Sequence, residues 1–261
     1  MSAITVRDVW LEYGDQIVLE RVNLEIAAGG FISLVGPSGA GKSSFLRLLL
    51  GQEQPTRGAI LLDGEPLRPE PGPDRGVVFQ RYSVFPHLTV LGNVLVAFEF
   101  ELSPVLARLR GAARREAIAK SFALLEEVGL EAHRDKYPSA LSGGMQQRLA
   151  IAQALARKPR VLLLDEPFGA LDPGTRAQMH ALIRKLWREH ATTVIMVTHD
   201  IKEAFGLGTR LIALDHTRLD PDAAGRYGAT VTYDLDLKRE GPVPVLGFLK
   251  DTTKPNEEIN P

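Results

Sequence analysis

The chain has 261 residues, of which 44% are hydrophobic and 24% charged, and a formal net charge of −1. A chain of this size and balance can bury a substantial core without covalent staples, and its near-neutral charge gives no global basic field for nucleic acid or acidic membrane. It has no cysteine, which excludes disulfides, thiolate metal sites and cysteine nucleophiles.

Arg7, Asp8, Glu12 and Asp15 interrupt any apolar stretch at the N-terminus, so it does not read as a signal peptide. No run approaches the ~20 apolar residues that span a bilayer. Action at a membrane is therefore expected to go through a partner. Residues 4–9 and 18–26 alternate as strands around a turn at Tyr13, Gly14 and Asp15. Residues 31–35 form a short apolar run, as expected of a buried strand, and lead into a glycine-rich segment and a helical pattern through Leu50. Residues 59–62 read as a strand entering a hairpin turn at Asp63 and Gly64.

Residues 88–158 differ: Ala, Leu, Glu and Arg recur at helical spacing, punctuated by Pro104, Gly111, Gly129 and Pro138. This stretch reads as a helical insertion in an α/β frame. Its basic cluster of Arg108, Arg110, Arg114, Arg115 and Lys120 reads as a solvated helix face. Strand signals return at 161–164, 192–197 and 210–214, with a helix over 175–189 between the first two, which implies parallel strands with helical crossovers. Residues 229–237 alternate strictly, with Val231, Tyr233, Leu235 and Leu237 expected on one face of a half-buried edge strand. Residues 250–261 are polar and proline-bearing and read as a disordered tail.

Gly36, Pro37, Ser38, Gly39, Ala40, Gly41, Lys42 and Ser43 fit the phosphate-loop pattern G-x-x-x-x-G-K-[ST], and Ser44 continues the cradle into the helix. The glycines let successive backbone N–H groups converge on phosphate oxygens, and the following helix presents unpaired N–H groups to the anion. Lys42 is expected to reach the β- and γ-phosphates of a nucleoside triphosphate and the Ser43 hydroxyl to ligate Mg²⁺. Asp165 and Glu166 end an apolar strand; as neighbours on a strand they point oppositely and need different tasks. Asp165 is expected to hold Mg²⁺ through water, and Glu166 to contact the attacking water. The ordinary alternative is a pair of acids in structural hydrogen bonds. His199 ends another apolar run, where it can bond the γ-phosphate and hold the water in line.

Ser142, Gly143 and Gly144 follow Leu141 and open a helix running to about Arg157. Ser142 suits the N-cap, and the open N–H groups suit a second anion; an ordinary capped helix is the alternative. Together with Gln80, Met145, Gln146, Gln147, Arg148, Leu171 and Asp172, these segments resemble the ATP-binding subunits of ABC transporters over about residues 4–214. The resemblance implies a RecA-like P-loop NTPase core with a mostly parallel sheet, an N-terminal antiparallel β-subdomain and an inserted helical subdomain. Its expected division is a first core part with the β-subdomain (1–87), the helical signature subdomain (88–158), a second core part (159–218) and a C-terminal extension (219–261).

In that family two subunits pack head to tail. The resemblance therefore implies that Ser142, Gly143, Gly144 and Gln146 meet the ATP of a second copy. It implies that Tyr13 stacks on adenine, that Gln80 senses the γ-phosphate and Mg²⁺, and that Asp172 carries signals between subunits. The ordinary readings are a packing tyrosine, a polar loop residue and a helix-capping acid. Two departures are Gln146, where many members are basic, and Gln153, where many have Arg.

Residues 71–80 resemble the nitrate/sulfonate/taurine importer branch, and residues 82–87 and 227–237 its subset linked with urea or guanidine carboxylase. The segment 81–88, with Tyr82 and Phe85, is implied to line a groove for a permease helix. Further implied partners are membrane-spanning permease subunits and, indirectly, a periplasmic or lipid-anchored solute-binding protein, with no nucleic acid. The implied place is the cytoplasmic face of the inner membrane. The rival readings are a soluble ABC-type ATPase uncoupled from any membrane, which usually carries coiled coils or two ATPase units, and a P-loop kinase or GTPase, which would leave Leu141 to Met145 without a role.

Overall fold

The computed structural model describes residues 2–80, 84–102, 109–218 and 225–237. The expected tail at 250–261, the groove residues 81–83, Pro104 and Arg108 lie outside the described residues.

Two sheets organise the chain. A four-stranded sheet has the order β2-β1-β4-β5, with β1 Ser2–Tyr13, β2 Gln16–Ala27, β4 Arg57–Leu62 and β5 Glu65–Pro66. All of its pairings are antiparallel. Alternation along β2 buries Leu19, Val22, Leu24 and Ile26 and leaves the intervening side chains more exposed.

A six-stranded sheet has the order β10-β9-β3-β8-β7-β6. It contains β3 Phe31–Val35, β6 Arg75–Val78, β7 Val161–Asp165, β8 Thr193–Val197, β9 Arg210–Asp215 and β10 Thr230–Asp236. The pairs β3–β8, β3–β9, β6–β7 and β7–β8 are parallel, and β10 adds an antiparallel edge. Every residue of β3 and β8 is buried, because both faces of this sheet are covered. β6 is not announced by the hydrophobic pattern: it has four residues beside Pro71, Gly72 and Pro73, and its strand character comes from pairing with β7.

Helix α1 Lys42–Leu50 follows β3, and α5 Pro173–His190 and α6 Ile201–Leu207 flank β8 in the chain. Between β6 and β7 come α2 Val90–Leu102, α3 Gly111–Glu127, two 3₁₀ turns and α4 Gly143–Leu155. One apolar cluster joins this helical segment to the sheet. It runs from Val94, Leu125 and Leu149 to Leu164, Met179 and Met196. A second lies on the opposite face, where Phe45 and Leu48 of α1 meet Leu163, Ile195 and Ile212.

The C-terminal strand corrects one expectation. Val231, Tyr233, Leu235 and Leu237 do not share a face. A register shift between Val231 and Tyr233 places two residues of β10 against one step of β9. As a result Val231 packs on the α1-side cluster, Leu235 and Leu237 pack with Val35, Ala204 and Leu211 on the other side, and Tyr233 is exposed.

Candidate active site

The parallel strands bring four separate chain segments to one edge of the sheet, beyond their carboxyl ends. β3 delivers the loop 36–41, β6 delivers Gln80, β7 delivers Asp165 and Glu166, and β8 delivers His199. They meet at a cleft of about 470 Å³ lined by Gly36, Ser38, Gly39, Gly41, Lys42, Ser43, Ser44, Glu166 and His199, with Val18 from β2. Val18 is a site residue the sequence does not single out, since it alternates like any other strand residue.

Backbone geometry explains the glycines. Gly36 has φ 154°, and a Cβ there would lie 2.1 Å from the carbonyl oxygen of Leu214. Gly41 caps α1 at φ 72°, a left-handed conformation. Pro37 and Ala40 complete the loop, and the Ala40 N–H donates to the Pro37 carbonyl at 3.3 Å. Lys42 folds back over the loop, donating from Nζ to the carbonyls of Gly36 at 2.8 Å and Pro37 at 2.7 Å. Burial holds its ammonium below the usual lysine value, and the carboxylates of Glu166 and Asp165 oppose that shift.

The Ser43 hydroxyl donates to Asp165 Oδ1 at 3.3 Å. Burial pushes the Asp165 carboxyl up from its ordinary value. A hydroxyl and a carboxylate oxygen at this spacing are hard donors of the kind Mg²⁺ prefers. Among the described residues no three His, Cys, Asp or Glu side chains converge as a metal cage. One hydroxyl and one carboxylate fit Mg²⁺, which retains water and phosphate ligands.

Glu166 corrects the simple strand argument. β7 ends at Asp165, and Glu166 has a left-handed backbone with φ 45°. Its N–H donates to the Val197 carbonyl at 3.0 Å. The turn, rather than strand alternation, aims its carboxylate. Glu166 Oε2 lies 3.4 Å from Gln80 Nε2 and 3.3 Å from His199 Nδ1. Two groups from different strands thus converge on one carboxylate oxygen, while the His199 side chain stays 65% exposed toward the cleft.

Tyr13 ends β1 and is exposed, its hydroxyl hydrogen-bonded to Glu53. Burial of the hydroxyl and its Glu53 partner raise its pKa. Glu53 also pairs with Arg47 of α1 at 3.1 Å. Ser142 caps α4, accepting from the Met145 N–H at 3.4 Å. Gly143 and Gly144 form the first turn, and a Cβ on Gly144 would lie 2.4 Å from Thr175 of α5. None of these three lines the cleft. Gln146 donates from Nε2 to the carbonyls of Pro138 at 3.0 Å and Leu141 at 3.3 Å, which braces the approach to the α4 start. Asp172 caps α5, accepting from the Thr175 N–H at 3.0 Å.

The profile of the ABC transporter family matches residues 19–169. The chain is 43% identical over 223 residues to the aliphatic sulfonates import ATP-binding protein SsuB 1 of Burkholderia cenocepacia, a span of 85% of this chain and 64% of that protein. It is 44% identical over 201 residues to the nitrate import ATP-binding protein NrtD of Synechocystis, 77% of this chain and 72% of that protein. The dimeric post-hydrolysis state of the ATP-binding cassette MJ0796, bound to ADP and Pi, superposes with a TM-score of 0.71 at 31% identity, covering 90% of this chain and 99% of that one. A glycine-rich loop opening a helix, acids at the end of a parallel strand of the same sheet and this degree of similarity agree: the chain belongs to the ABC transporter family.

Proposed function

We propose that the chain binds ATP with Mg²⁺ and hydrolyses it as the motor subunit of a small-solute importer. The convergence of Gln80 and His199 on Glu166, beside the cleft that holds Lys42, supports this reading most strongly. The loop N–H groups and Lys42 would hold the β- and γ-phosphates, with Lys42 giving up its loop carbonyls for the anion. Tyr13 would face the adenine. Ser43 and Asp165 would hold Mg²⁺, with Gln80 beside it. When bound, Mg²⁺ neutralises charge on the phosphate oxygens. Glu166 would take or orient the proton of a water attacking the γ-phosphorus, and His199 would hold Glu166 and the γ-phosphate in line, so that ADP and phosphate leave.

The outlying start of α4 supports a head-to-tail dimer in which Ser142, Gly143 and Gly144 of one copy, braced by Gln146, close on the ATP of the other. Asp172, two residues from the exposed face of Ala170, would meet the partner copy. A second cleft of about 250 Å³, with Gly76, Val77, Phe85, Val96, Phe100 and Gln153 in its lining, suits an apolar helix of a permease subunit. Phe85 and Phe100 are exposed there. No described helix is long and apolar enough to cross a membrane. Coupling would come from permease subunits that the chain meets at the cytoplasmic face of the membrane, with a solute-binding protein acting through them. The division into core (1–87 and 159–218), helical unit (88–158) and C-terminal extension (219–261) assigns the cradle to the core and the signature turn to the helical unit. The solute class is nitrate-, sulfonate- or taurine-like, or urea- or guanidine-like.

The test is phosphate release by the purified chain, alone and reconstituted with its permease, against Glu166→Gln. Turnover that is abolished by the substitution supports the reading. Absence of turnover in the reconstituted wild type refutes it.

A further inference from the structure

Behind the cleft, α5 and α6 carry a polar cluster that the catalytic reading does not use. Glu203 of α6 is buried at 6% exposure. Its Oε2 accepts from the Thr198 hydroxyl at 2.8 Å, and its Oε1 lies 3.3 Å from His180 Nε2 and 3.6 Å from Arg176 Nε. Arg176 also reaches Asp200 Oδ2 from Nη1 at 3.5 Å and the Leu171 carbonyl from Nη2 at 3.3 Å. Asp200 caps α6 and donates its N–H to the Thr198 hydroxyl at 3.0 Å. The cluster therefore grips both chain neighbours of His199. It also grips the turn after Glu166: His180 packs edge-on against the fully buried Phe168 at 4.8 Å, and the Leu171 N–H donates to the Phe168 carbonyl at 3.1 Å.

We infer that Arg176 and Glu203 are positioning residues that hold His199 against Glu166 and tie it to the turn carrying Leu171 and Asp172. The physical reason is rigidity: a buried carboxylate with three partners and a guanidinium fork spanning two loops leave His199 and the turn little freedom to move separately. The inference rests on the proposed roles of Glu166 and His199, and it gives displacement of Asp172 at a subunit interface a route through Arg176 and Glu203 to Thr198 and Asp200, the chain neighbours of His199. Neither residue lines the cleft, so their substitution is expected to act on the aim of His199 more than on the hold of ATP.

The test uses the full chain with ¹⁵N-labelled histidine. Arg176→Ala and Glu203→Gln are expected to move the His199 imidazole signals while the exposed His87 stays in place. Both are expected to keep the ATP Kd within about twofold and lower kcat about tenfold or more, the scale of a small misplacement of reacting groups. Arg176→Lys keeps the charge but loses the fork, and is expected to recover part of kcat; as the milder change it also serves if the alanine variant does not fold. Asp172→Ala is expected to cost less in an Arg176→Ala background than in the wild type. Unmoved His199 signals in the folded variants, or full costs that simply add, overturn the link. If the wild type releases no phosphate, the hydrolytic reading fails, and the imidazole signals still decide the link.

Discussion

The Ser43 hydroxyl lies 3.3 Å from a carboxylate oxygen of Asp165, across 122 residues of chain. The contact exists because β3 and β7 are both paired to β8 in the same parallel direction, so their carboxyl ends open onto one edge. It places a hydroxyl and an acid at the start of α1, where the helix also presents free N–H groups.

Asp165 is the group whose removal has opposite consequences for stability and activity. Burial, the largest influence, raises its carboxyl above the ordinary value. The folded protein then holds that proton more tightly than the unfolded chain, so the stabilisation is fully present below the unfolded value and is lost as pH rises through the folded one. Asp165→Asn removes this titration. In ligand-free protein the variant is expected to melt higher than the wild type at neutral pH, with the gap closing in acid, while ATP turnover falls. Thermal melts across pH check this, and a gap that widens in acid contradicts it.

Lys42→Ala removes an ammonium that has two loop carbonyls as partners in the free protein. A charge-assisted bond contributes about 1.5–3 kcal/mol, so the ATP Kd is expected to rise about tenfold to a hundredfold. Calorimetry reads this directly; an unchanged Kd removes Lys42 from the cradle.

Glu166→Gln keeps the shape of a side chain that meets Gln80 and His199 but cannot accept the water's proton. Turnover is expected to fall about 10²–10⁴-fold with ATP binding retained and an ATP-bound dimer trapped. Wild-type turnover would remove Glu166 from the reaction.

Ser142→Arg places a long cation at a helix start that lies outside the cleft of its own chain. ATP binding by the monomer is expected to persist while the ATP-dependent dimer is lost. Light scattering that still reports the dimer contradicts the cross-subunit role.

Gly36→Ala would drive a methyl group to within 2.1 Å of the Leu214 carbonyl oxygen. Backbone on both sides leaves no flexible atom to yield, and a destabilisation of about 2 kcal/mol or more is expected in urea unfolding. The loss of ATP affinity should accompany it, because the loop opens from that residue.

Local chemistry was legible from the chain alone. The glycine-rich loop, the Asp165 and Glu166 pair and the Ser142 cap are contiguous motifs whose spacing places them at strand ends and a helix start, and the apolar runs around them identify the strands of the parallel sheet. Tertiary structure alone decided what depends on pairing and packing. β6 is a strand because β7 binds it, and the β10 bulge divides Val231 from Leu235 because the two faces of β9 meet different clusters. The aim of Glu166 follows from a left-handed turn that no local pattern requires. Arg176, His180 and Glu203 have no motif of their own. Their hydrogen bonds join α5, α6 and two loops, and a relationship between distant segments has no period or spacing to be read along one chain.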